Sequence, residues 1–101
     1  MAIKLTSENF KTEVLESEVP VLVDFWATWC GPCQTMGPVV DELAQELTDV
    51  KVGKVNVDEQ PELAMTYKIM TIPTLMVFRN GEVADKAIGG MSKEEILEML
   101  K

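Results

Sequence analysis

Cys30 and Cys33 are the two cysteines of a 101-residue chain, and both lie in the stretch WATWCGPCQTMGP with only Gly31 and Pro32 between them. A cysteine reacts as its thiolate, which is favoured beside unsatisfied backbone N–H groups at a helix start, where the macrodipole also favours negative charge. The run VPVLVDFWA before the pair reads as a strand, and helical spacing begins after it. Cys30 therefore falls at or just before a first helical turn and is placed to attack. Pro32 suits that turn, because its missing N–H costs little there. Residues three apart in a helical turn have Cβ atoms about 5–6 Å apart, and a disulfide needs about 3.5–4.5 Å. Modest adjustment thus lets Cys33 reach Cys30, attack a mixed disulfide formed there and release the reduced partner. So short a bridge removes little unfolded-chain entropy, so its value lies in opening and closing. The competing readings are inert core thiols or a passive bridge, and a metal site shared between two chains. Gly-Pro is poor core material, which favours redox chemistry.

Asp24 interrupts the apolar strand six residues before Cys30, on a face otherwise carrying Leu22 and Trp26. Burial disfavours a charged carboxylate, so its pKa should rise. A carboxylate poised in this way can accept a proton from Cys33, through a water, as that thiol resolves the mixed disulfide. The plainer alternative is a solvated aspartate at a strand end. Lys54 in VGKVNV is a charge within a strand and could pair with Asp24, or could be a snorkelling surface lysine. Trp26 continues the strand and reads as packing. Trp29, beside the nucleophile, reads as an exposed ring that covers the site and touches substrate.

The chain has no histidine, which removes Cys-His and Ser-His-Asp machinery and histidine metal ligands. Two thiols cannot fill a four-thiolate zinc or iron–sulfur site. Nine basic against seventeen acidic residues give a net charge of −8, the wrong sign for phosphates or an anionic membrane surface. At 47% hydrophobic and 26% charged, the composition is that of a globular protein. No low-complexity segment or repeat divides it, so residues 1–101 are expected to form one domain. The opening MAIKLTSENF has no apolar signal region and no run is long enough to span a bilayer, so a cytoplasmic protein is expected.

The elements that must position these residues read in order. A short strand at 3–5 precedes a helix capped by Thr6 or Ser7, with Phe10, Val14 and Leu15 on its buried side. In the central strand Val21, Val23 and Phe25 share one face and Leu22, Asp24 and Trp26 the other, as for a strand covered on both sides. Met36, Val39, Val40, Leu43, Ala44 and Leu47 form the apolar side of the next helix, with Asp41, Glu42, Gln45 and Glu46 opposite and a kink at Pro38. A strand at VKVGKVNV and a short helix over 61–67, with Leu63, Ala64 and Tyr67 inward, come next. Two strands then form a hairpin about Asn80-Gly81 with a type I′ turn. Ser92 and Glu95 form a capping box for a last helix with Ile96, Leu97 and Leu100 inward. The seven methionines read mostly as core filler, with Met70 and Met91 as candidates to border the site. The order β-α-β-α-β-α-β-β-α predicts an α/β three-layer sandwich around a mixed five-stranded sheet flanked by helices.

WCGPC preceded by VDFWA resembles the thioredoxin family, and the likeness runs the length of the chain. KVNVDEQP is similar to the family's third strand, TIPTLMVFRNGE to its cis-proline loop and hairpin, and IGG to the glycine pair before its last helix. The resemblance implies the thioredoxin fold, an attacking Cys30 and a resolving Cys33. It also implies Asp24 as the buried proton acceptor with Lys54 near it, and a cis peptide bond between Ile72 and Pro73. Ile72 would then offer backbone groups to an extended substrate segment, with Gly89 and Gly90 allowing close approach from the other side. Trp29, Gly31, Pro32, Ile72, Pro73 and Gly90 would form a small apolar patch around Cys30 suited to many protein partners.

Gly31-Pro32 departs from the Pro-His and Gly-His pairs of oxidising and isomerising relatives, which favours a reductase. Gln34 and Met70-Thr71 depart from the basic residue and the Arg-Gly-like pair of familiar members, which bears on partner preference and redox tuning. The expected function is general protein dithiol–disulfide exchange without metal or cofactor. The expected partners are disulfide-containing proteins and a thioredoxin reductase or similar electron donor, with no nucleic acid or membrane, and the expected form is a monomer. A disulfide oxidant or isomerase, and a non-catalytic interaction subunit of the same fold, are the alternatives.

Overall fold

The computed structural model describes residues 2–101; Met1 lies outside them. Five strands form one sheet: β1 (Ile3–Lys4), β2 (Val21–Trp26), β3 (Lys51–Asn56), β4 (Thr74–Arg79) and β5 (Glu82–Ile88), in the spatial order β1-β3-β2-β4-β5. β3 runs parallel to both β1 and β2, while β4 is antiparallel to β2 and to β5. The helices are α1 (Gly31–Glu46), α2 (Pro61–Thr66) and α3 (Lys93–Met99). This is the expected mixed sheet with helices on both sides.

β2 is the central strand, and its alternation separates two cores. Val21, Val23 and Phe25 pack with Phe10, Val14, Leu63, Met76 and Phe78 on one side. There Tyr67 and Phe78 meet edge-on with centroids 5.3 Å apart, and Phe10 and Phe78 do so at 5.6 Å. Leu22 packs on the other side with Met36, Val40 and Leu43 of α1, Leu75 and Val77 of β4, and Ile96 of α3. α1 contains Pro38, as expected. Gly53 on β3 is required by packing, since a Cβ there would lie 2.8 Å from Leu5 Cγ.

The hairpin between β4 and β5 turns on Asn80 and Gly81, both at positive φ (55° and 81°), as a type I′ turn requires. Its outer strand, β5, is exposed along most of its length and carries Glu82, Asp85 and Lys86, charges that suit an unpaired edge. The Ser92–Glu95 capping box is formed in both directions.

Three expectations change. The first helix is instead a turn followed by five residues of π-helix, Lys11–Leu15, in which the Glu16 N–H donates to the Lys11 carbonyl at 2.9 Å. The wider turn keeps Phe10 and Val14 inward and carries Leu15 to the exposed side. Thr6 does accept hydrogen bonds from the amides of Glu8 and Asn9, so it caps the turn as expected. The methionines are not mostly core: of the described ones Met36 and Met76 are buried, whereas Met65 and Met70 are 77% and 92% exposed. Asp41 faces solvent only in part; it is half-buried and its carboxylate is turned toward Lys54 of β3.

Candidate active site

β2 delivers the chain to the surface at Trp26, the loop 27–30 follows, and α1 begins at Gly31. Cys30 is the N-cap residue, with extended backbone dihedrals, and its Sγ accepts a hydrogen bond from the Cys33 N–H at 3.2 Å. A sulfur at this position meets an unsatisfied helical amide and the positive end of the α1 dipole, which both favour a thiolate. Cys30 and Cys33 are joined as a disulfide with Cα atoms 5.2 Å apart. Both are buried against Ala27, with Trp26, Val57 and Ile72 packed around them. Pro32 occupies the first turn of α1, where no donor is lost.

Asp24 is 1% exposed, and neither carboxyl oxygen has a hydrogen-bond partner among the described residues. It lies between Leu22 and Trp26 on the β2 face toward α1. Burial raises its pKa from the ordinary 3.8 to about 7; Lys54 opposes the rise and Asp41 adds to it. The expected pairing of Lys54 with Asp24 is not formed. The two residues are register partners on β3 and β2, but the Lys54 ammonium lies 4.0 Å from Asp41 Oδ1 and 5.1 Å from the centre of the Trp26 ring. Its solvent contact is limited too, so it is not a snorkelling surface lysine.

Around the disulfide, Trp29 is 70% exposed and Gly31 and Pro32 are exposed. The Ile72–Pro73 peptide bond is cis, with Ile72 half-buried against the cysteine cluster and Pro73 buried. The Gly89 N–H donates to the Pro73 carbonyl at 2.8 Å, which brings the glycine pair beside this loop. Gly89 has φ +97°, and a Cβ at either Gly89 or Gly90 would meet no atom within 4 Å, so the surface there is open. Pro32, Gly90 and Met91 line one shallow depression together with Thr35, Met36 and Val39. Met91 therefore borders the site, while Met70 projects into solvent.

Three residues have contacts that the sequence did not foretell. Trp29 is held by Asp58, whose Oδ2 accepts from the indole N–H at 2.8 Å. Asp58 is itself fixed because its N–H donates to Asn56 Oδ1 at 2.9 Å. An Asn two residues before an Asp at a strand end is a turn signal that could have located this anchor. Gln34 Nε2 donates to the Thr28 carbonyl at 3.2 Å, strapping the loop to α1 without adding charge. Asp41, as partner of Lys54, is the third.

The thioredoxin family profile matches residues 1–101. The chain is 52% identical over 101 residues to thioredoxin 1 of Synechococcus elongatus, covering 99% of this chain and 94% of that protein. It is 50% identical to the thioredoxin of Rickettsia felis, over 99% of this chain and 96% of the other. To the thioredoxin of Pyropia yezoensis it is 48% identical over 98 residues, 96% of this chain and 92% of that one. A two-cysteine centre at a helix N-cap, carried on this sheet and matched at such identity along the whole chain, places the protein in the thioredoxin family of protein-disulfide oxidoreductases.

Proposed function

We propose that the protein reduces disulfides in other proteins, with Cys30 attacking, Cys33 resolving and Asp24 accepting the proton. The observation that carries this reading is the closed Cys30–Cys33 pair at the N-terminus of α1, just after a strand that carries a buried, unpartnered carboxyl.

In the reduced protein the Cys30 thiolate attacks one sulfur of the target disulfide. A bond forms between Cys30 and that sulfur, and the other target sulfur leaves as a thiolate. Cys33 then gives its proton to ionised Asp24 and attacks Cys30 Sγ, releasing the second target thiolate and closing the Cys30–Cys33 disulfide. Two electrons pass to the target, and Asp24 returns its proton to solvent or to the released thiolate. A dithiol donor such as a thioredoxin reductase restores the pair. Lys54 acts beside Asp24 through its charge.

Trp29, Gly31, Pro32, Ile72, Pro73 and Gly90 form the docking rim. An extended target segment pairs with the backbone of Ile72, and the shallow, largely apolar surface imposes little sequence preference. The working form is a monomer of one domain. Its setting is the cytoplasm, where the compartment supports a reductant; among the described residues no helix is long and apolar enough to cross a membrane.

Single-turnover mixing of reduced protein with a disulfide-bonded protein substrate tests the assignment. Cys33→Ser should accumulate a mixed disulfide through Cys30, and Cys30→Ser should form none. Accumulation through Cys33 in the Cys30→Ser protein, at the wild-type rate, would reverse the roles.

A further inference from the structure

A groove of about 240 Å³ opens beside α1, lined among others by Trp26, Cys33, Gly37, Asp41 and Lys54. Cys33, Gly37 and Asp41 stand four residues apart on the helix and so form one stripe. A Cβ at Gly37 would sit 3.6 Å from Lys54 Nζ, in ordinary contact, so the middle of that stripe lies against the ammonium. Opposite the stripe, β3 presents Lys54 level with Asp24 of β2.

An ammonium on a flexible four-carbon stem, beside a buried carboxyl with two unpaired oxygens, has every electrostatic reason to close on it. Lys54 does not. Both Asp24 oxygens remain without a partner, and the ammonium is instead shared between Asp41, at 4.0 Å, and the face of Trp26, at 5.1 Å. The indole face is a weak attractor. The carboxylate of Asp41 is, among the described residues, the one carboxylate within ion-pair distance of the ammonium.

We propose that Asp41 is a positioning residue for proton transfer between Cys33 and Asp24: its carboxylate keeps the Lys54 ammonium at the groove, away from Asp24, so that the Asp24 carboxyl stays unpaired and free to take up and release a proton. The inference rests on the function proposed above, in which Asp24 is the base. The charged groups that act on Asp24 are Lys54 from β3 and Asp41 from α1, Cys33 lines the same groove as those two, and the β4 register partner of Asp24 is the apolar Leu75. Burial is the main cause of the raised Asp24 pKa, and Lys54 already works against it. A Lys54 that closed on Asp24 would strengthen that opposition, leaving a carboxylate ionised through the neutral range and a poorer base for the Cys33 thiol.

The test is a carboxyl-carbon NMR titration of Asp24 in the reduced full chain, for the wild type, Asp41→Asn, Lys54→Met and the double variant. Asp41 is half-exposed, and the amide keeps its shape. Asp41→Asn should lower the Asp24 midpoint by about one unit, and Lys54→Met should raise it. In the Lys54→Met background, the Asp41→Asn shift should shrink to less than about a third of its single-variant size, as expected when one residue acts through the other. The pH profile of Cys33 resolution should move with the midpoint. Equal Asp41→Asn shifts in both backgrounds would show that Asp41 acts only as a direct charge on Asp24, and no shift in either would show no coupling; either result overturns the proposal. The midpoints need no turnover. A wild-type protein that failed to reduce disulfides would therefore sink the proposed function and leave the Asp41 question to the titration.

Discussion

On one face of β2, Val21, Val23 and Phe25 meet an unbroken aromatic and aliphatic core; on the other, Leu22 and Trp26 flank the buried Asp24. The strand backbone is the same, and burial is nearly so, with only Trp26 at the strand end half-exposed. What differs is the satisfaction of the buried groups. The first face removes apolar surface from water and asks nothing more of its neighbours. The second buries a carboxyl with neither oxygen hydrogen-bonded, an arrangement that costs stability. A fold under selection for stability alone would fill both faces alike. The comparison teaches that one half of the core holds the sheet together while the other gives up stability to bury an unpaired carboxyl on the strand that leads to the disulfide.

The strongest break in this comparison is at the chemistry. Cys30→Ser should abolish steady-state reduction of a protein disulfide in a turnover assay, with the fold intact by circular dichroism. On the aromatic face, Phe78→Ala should cost about 3–5 kcal/mol, a large share of the roughly 5–15 kcal/mol that holds a domain of this size. Denaturant titration measures that loss, and the midpoint of the cysteine couple should not move.

Asp24→Asn should do the opposite on the other face. Its folded pKa of about 7 stands above the ordinary 3.8. The folded state therefore binds the extra proton between those values, and the wild type loses stability as pH rises through that window. Above it the cost is about 4 kcal/mol, from roughly three units at about 1.4 kcal/mol each. The variant's own buried amide gives back about 1–3 kcal/mol. A net stabilisation of about 1–3 kcal/mol at pH 8 is the expected outcome, reversing to a net loss of about 1–3 kcal/mol below about pH 4, where the wild-type carboxyl is protonated and only the cost of the amide remains. Resolution of the mixed disulfide should slow on the order of 100-fold. Equal or lower stability of the variant at pH 8 would contradict the burial account. The smallest effect is structural: Ser92→Ala removes the cap of α3, far from either face's special chemistry, and should cost about 1 kcal/mol in the same titration.

Features carried by adjacent residues were legible in the sequence. The cysteine pair at a helix start, the Asn80-Gly81 turn and the Ser92–Glu95 capping box each depend on a few consecutive side chains, and each is present. The alternation of β2 was equally plain, because a period of two separates faces without knowledge of the partner. The cis bond before Pro73 came from the family likeness and not from local physics. What the sequence hid lies between elements. Spacing along α1 put Asp41 with the polar side, but only the position of β3 decides that it meets Lys54. Composition cannot say which methionine finds a hole, and Met65 and Met70 find none. The π-helical turn that exposes Leu15 depends on one shifted hydrogen bond, which no side-chain period encodes.

The most direct measurement is an equilibrium titration of the Cys30–Cys33 couple in dithiol–disulfide buffers, followed by tryptophan fluorescence, since Trp26 packs against the pair and Trp29 adjoins it in the chain. Each step of about 30 mV corresponds to about 1.4 kcal/mol for a two-electron couple, so reductants and oxidants separate readily. The account predicts a reversible transition at or below the cytosolic glutathione poise, about −220 to −260 mV. A potential well above that range, or no reversible transition at all, would contradict it.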